Sequence, residues 1–67
     1  MDVEATRKAY ADLLALIQQK PGQERYTFSF PNATAEEAEA LRKAGQYVAI
    51  NMGVQVTLRI AGVTYKE

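Results

Sequence analysis

Ser29 is the only serine in this 67-residue chain, and neither cysteine nor histidine occurs. A nucleophilic hydroxyl needs a base beside it, and general acid–base catalysis needs a group that titrates near the working pH. Ser29 instead alternates with Thr27 and Arg25 along a short extended stretch, and no base is discernible there. Glu36, Glu37 and Glu39 form the densest run of carboxylates. Successive helical positions fan around the axis, so only Glu36 and Glu39 approach one face, and complementing the positive end of a helix dipole accounts for all three. Without Cys or His, disulfide staples, thiolate zinc sites and imidazole metal sites are excluded. A phosphate cradle needs a glycine-rich link between strand and helix, whereas this link is Pro31-Asn32-Ala33. Asn32-Ala33-Thr34 fits the N-glycosylation pattern, but a loop asparagine followed by a helix N-cap explains it as well. The expectation is therefore a non-enzymatic protein with no catalytic residues, no cofactor, no metal and no small-molecule substrate.

The elements that would carry any other function follow from periodicity. Asp2 is a good N-cap for a helix to about Gln19, where Pro21 and Gly22 halt it. Val3, Thr6, Tyr10, Leu13, Leu14 and Ile17 recur at helical spacing on one face. Arg25 to Phe30 alternates as a half-buried strand, with Tyr26, Phe28 and Phe30 on one side. Thr34 and Glu37 make a capping box, and Gly53 suits the left-handed position that ends a second helix near Met52. Val54 to Ile60 and Val63 to Glu67 read as a β-hairpin across Ala61-Gly62. Alanine is a poor residue for a two-residue turn with positive φ at both positions, so a type I turn with a bulge at Gly62 is a second option.

Composition allows one domain, residues 1–67, stabilised by packing of its 48% hydrophobic residues. Eight basic and eight acidic residues cancel, which removes the positive field that carries most nucleic-acid affinity. The longest apolar run, Leu13 to Ile17, is far short of the ~20 residues needed to span a bilayer, and Met1-Asp2-Val3-Glu4 has no cationic signal region. A soluble chain of unassigned compartment is expected, without nucleic-acid or membrane partners. Only one sheet face carries the aromatic and aliphatic residues, so both helices must cover it. The fold expected is α+β: a two-layer sandwich with two helices on one face of a three-stranded mixed sheet, in the order α-β-α-β-β. Strand order 1-3-2 is expected, with 1-2-3 as the alternative. The core should join Tyr26, Phe28, Phe30, Val56, Leu58 and Ile60 to Tyr10, Leu13, Ile17, Leu41 and Val48, with Phe28 against the backbone of Gly45.

Three features carry a resemblance: the helix opening Thr34-Ala35-Glu36-Glu37-Ala38-Glu39-Ala40-Leu41 after a strand, the Gly53 stop, and the hairpin Val54 to Glu67. With them the chain resembles a computationally designed (de novo) α/β mini-protein. Over nearly its whole length the layout is similar to the carboxy-terminal portion of the first designed novel α/β fold. The chain departs from that family in being 24% charged, with Gln, Asn and Ala where idealised designs place Glu and Lys. The resemblance implies either binding to a chosen target or no biological function, and a small natural domain of unassigned role is the remaining reading.

The open sheet face should hold Arg25, Thr27, Ser29, Gln55, Thr57, Arg59, Thr64 and Lys66, which lacks the aromatic platform of an RNA-binding sheet. The second helix is more informative. Its core stripe reads Ala38, Leu41, Gly45, Val48 and Met52, which leaves Ile50 almost opposite, with Tyr47 about 60° from it and Lys43 close by. An apolar pair on a polar face marks a contact surface, expected to comprise Ala40, Lys43, Ala44, Tyr47, Ile50 and Asn51 and to engage a protein partner or a second copy. The small residues would let the partner approach closely.

Overall fold

The computed structural model describes residues 3–67, so the expected N-cap Asp2 lies outside the described residues. Helix α1 spans Val3–Gln19. It stops where Pro21 offers no N–H and Gly22 takes φ 81°, and the Lys20 N–H closes the last turn on the Ile17 carbonyl at 3.0 Å. Strand β1, Arg25–Phe30, follows. The Tyr26 hydroxyl donates to the Lys20 carbonyl at 2.9 Å and accepts from the Gln23 N–H at 3.2 Å. A buried ring thus pins the loop between α1 and β1 by its polar end.

Helix α2, Ala35–Met52, opens on the complete capping box expected. The Glu37 N–H donates to Thr34 Oγ1 at 3.1 Å, and the Thr34 N–H donates to Glu37 Oε1 at 2.8 Å. The Thr34 N–H, and after it the Thr34 side chain, hold the Glu37 carboxyl below its ordinary value, because the carboxylate form accepts hydrogen bonds that the protonated acid accepts less well. Gly53, at φ 66°, donates its N–H to the Ala49 carbonyl and ends the helix in the left-handed region. Strands β2, Gln55–Ile60, and β3, Val63–Lys66, complete the chain. The link between them is a two-residue turn with φ 48° at Ala61 and 87° at Gly62, so alanine does occupy a position it disfavours.

The fold is α+β, with two helices packed on one face of a three-stranded mixed sheet. Its strand order is 1-2-3, which corrects the expected 1-3-2. β1 pairs parallel with β2 from Arg25↔Gln55 to Phe30↔Ile60, and β2 pairs antiparallel with β3. The central place goes to the strand that buries most. Val56, Leu58 and Ile60 are all excluded from water, whereas Val63 of β3 remains 50% exposed and Tyr65 is half-buried. A four-residue strand with one aliphatic side chain would have wasted the centre of the sheet. Arg42 of α2 covers Tyr65 instead, its guanidinium 4.4 Å from the ring centroid.

The core joins Tyr26, Phe28, Leu41, Val48, Val56, Leu58 and Ile60 to Leu13 and Ile17, as the periodicities require, while Tyr10 and Phe30 lie at its margin. The Tyr26 and Phe28 rings, two apart on one strand face, lie nearly parallel at 6.0 Å. Gly45 is buried, but the side chain against it is Leu58 rather than Phe28. A Cβ at position 45 would lie 2.9 Å from Leu58 Cδ1. That correction follows from strand order, since α2 crosses the sheet over β2. Met52, expected in the core stripe, is 43% exposed in the last turn of α2. Among the described residues no helix is long and apolar enough to cross a membrane.

Candidate protein-contact surface

α2 faces two neighbours, and this decides where its residues point. Leu41, Gly45 and Val48 face the sheet, and a second apolar arc faces α1. Ala40 (6% exposed) and Ala44 (0%) belong to that arc and join Ala9 of α1 in the core. They are therefore not part of an exposed contact surface. Their small side chains do permit close approach, but the element that approaches is α1 of the same chain. Ala9 escaped the sequence reading for the same reason. The stripe of a helix in a two-helix layer must span both the sheet and the neighbouring helix, so it is wider than the sheet-facing residues alone.

The other four expected residues remain accessible on the outer side. Ile50 is 76% exposed and Tyr47 53%, three positions apart and so adjacent on the helix surface. Lys43 is half-buried, with Nζ 3.6 Å from Oε1 of the exposed Glu39, a partly exposed i,i+4 pair worth little energetically. Asn51 donates from Nδ2 to the Tyr10 hydroxyl at 3.3 Å, which ties the surface to α1. Lys43, Tyr47 and Asn51 then line one wall of a groove of about 420 Å³ whose other wall is Val3, Thr6, Arg7 and Tyr10. The sequence reading missed that second wall. Val3 shares the apolar stripe of α1 by periodicity yet is largely exposed, and the buried residues of α1 begin only at Ala9.

A second groove, about 390 Å³, lies between the N-terminal halves of the helices over the end of β1. Ala5, Ala9, Phe30, Ala40 and Leu41 form its apolar floor, and Lys8, Asp12, Glu36 and Glu37 line its rim. Three of these four charged groups are engaged in local geometry. Lys8 Nζ lies 3.2 Å from Asp12 Oδ2, and Glu37 serves the capping box. The Thr34 hydroxyl of the Asn32-Ala33-Thr34 pattern accepts the Glu37 N–H, so its role is that of the N-cap. Ser29 is exposed on the sheet face as expected. Among the described residues no group of three His, Cys, Asp or Glu side chains is placed to hold a metal ion. No buried side-chain polar atom among them lacks a hydrogen-bond partner.

No protein-family model, curated protein or solved structure matches the chain.

Proposed function

We propose that this protein is a non-enzymatic binding module, of designed mini-protein type, that engages a protein partner through the outer face of α2 around Tyr47 and Ile50. The observation that carries this reading is the exposure of Ile50 and Tyr47 side by side on a helix whose sheet-facing and α1-facing arcs are already complete without them. Burying an isoleucine stabilises by about 1.5–3 kcal/mol, so a partner that covers Ile50 gains what the monomer leaves unused. Tyr47 adds a large ring with a polar tip at the mouth of the groove shared with Val3 and Tyr10, the kind of anchor that dominates interfaces. Lys43 and Asn51 supply a polar rim. The designed character is supported by local geometry that agrees with the global fold: a complete capping box, a left-handed glycine stop and, among the described residues, a core whose one polar side-chain group, the Tyr26 hydroxyl, is hydrogen-bonded.

The test immobilises the wild type beside a Tyr47→Ala, Ile50→Glu variant and compares what each retains from a panel of candidate proteins. Retention by the wild type alone, with matching circular dichroism spectra, supports the reading. Equal retention by both removes it.

A further inference from the structure

We propose that the outer edge of β1 accepts an extended acidic peptide as an added strand, with its carboxylates on the open face of the sheet. The inference stands apart from the α2 surface and rests on the ladder. Among the described residues β1 has β2 as its one neighbour. The Glu24 carbonyl accepts the Gln55 N–H at 2.9 Å, and the Phe30 carbonyl accepts the Ala61 N–H at 3.2 Å. In a parallel ladder the N–H and C=O of one residue point to the same side, and neighbouring residues alternate. Tyr26 and Phe28 therefore turn their backbone groups toward β2, and Arg25, Thr27 and Ser29 turn theirs outward. Among the described residues no strand or loop pairs with them.

Apart from the charge of Arg25 at its start, this edge also lacks the devices that usually block strand addition. Across its six residues it has no lysine, no proline and no inward charge, whereas the edge of β3 is four residues long and carries Lys66. Backbone pairing supplies attraction without regard to sequence, and side chains supply the choice of partner. Here the choice is set by charge. The open face carries Arg25, Arg59 and Lys66, and no strand residue places a carboxylate there. Arg59 pairs with Ser29, next to the free edge, and Arg25 lies on the edge itself. An added strand with Glu or Asp at alternate positions would set its carboxylates beside these cations. A second copy of β1 would instead bring another Arg25 onto a face that is already cationic, so the peptide is the better occupant.

The experiment titrates the isotope-labelled full chain with a capped hexapeptide alternating valine and glutamate, and with its valine–lysine counterpart, followed by amide chemical shifts. Shifts centred on Arg25, Thr27 and Ser29 with the glutamate peptide, and much weaker ones with the lysine peptide, are expected. Arg25→Glu should weaken the glutamate peptide about tenfold or more and strengthen the lysine peptide. Thr27→Pro removes an outward N–H and no bond to β2, so the variant that folds should bind neither. Arg25→Glu, a surface change, carries the test if Thr27→Pro does not fold. Absence of shifts with the glutamate peptide, equal affinity for both peptides, shifts centred on Tyr47 and Ile50, or self-association of the free chain through β1 would each overturn the proposal.

Discussion

Gly45→Ala is the substitution whose outcome the packing determines most sharply. In the middle of a helix, alanine is favoured over glycine by about 1 kcal/mol, because it restricts the unfolded chain and loses no side-chain freedom. At position 45 the added methyl would meet Leu58 Cδ1 at 2.9 Å, inside the closest approach real Cβ atoms make. Leu58 is fully buried, so its methyl cannot swing into water. Overpacking of this kind costs about 1–3 kcal/mol, which offsets or exceeds the propensity gain. Gly45→Ala should therefore leave stability unchanged or lower it by up to about 2 kcal/mol. Leu58→Val removes the obstructing Cδ1 at a cost near 1 kcal/mol. In that background Gly45→Ala should become stabilising by up to about 1 kcal/mol, a coupling that a double-mutant cycle isolates. Urea denaturation followed by far-ultraviolet circular dichroism measures all four variants, and each kcal/mol corresponds to about 4–8 °C in a domain of this size. If Gly45→Ala gains the full propensity difference in the wild type, the space over Leu58 is open and the contact is wrong.

Thr34→Ala should cost about 1 kcal/mol by chemical denaturation, since it removes half of the capping box. Glu37 is held below its ordinary pKa in the folded state, so its support of α2 is present above the unfolded value and is lost as pH falls through the folded one. A carboxyl-carbon NMR titration should find Glu37 below the ordinary glutamate value in the wild type and returned toward it in Thr34→Ala. Ala61 at φ 48° sits where asparagine or glycine is preferred, so Ala61→Asn should raise the melting temperature by an amount equivalent to about 0.5–1 kcal/mol, and a lowered one would contradict the turn geometry. Phe28→Ala should cost on the order of 3–5 kcal/mol, enough to abolish the cooperative transition, and a cooperative melt of near-native midpoint would refute the facing of β1.

Much of this fold could be read from the chain because its local signals agree with one another. The Thr34–Glu37 box, the Gly53 stop and the alternation from Arg25 to Phe30 each fix a boundary that packing then leaves in place. Strand order was not legible, since the same alternation serves a central or an edge strand, and the choice rests on how much β2 and β3 each bury. The contact surface was half legible. Ile50 and Tyr47 stood out because nothing on their side of the wheel is apolar, whereas Ala40 and Ala44 looked like surface because alanine carries no polarity signal. Only the position of α1 shows that they are interior, and that position depends on contacts made 30 or more residues away, such as Tyr10 with Asn51 (|i−j|=41).

The claim on which the functional reading turns is that Tyr47 and Ile50 are spare to the fold. Denaturation of the Tyr47→Ala, Ile50→Glu variant tests it most directly. Tyr47→Ala improves helix propensity, which offsets the partial contact that Tyr47 makes in its groove, and in Ile50→Glu the small propensity gain opposes the cost of a carboxylate near the negative end of the α2 dipole. Unfolding free energy within about 0.5 kcal/mol of the wild type is the predicted result. A loss of about 2 kcal/mol or more would contradict it, because only side chains that belong to the core cost that much.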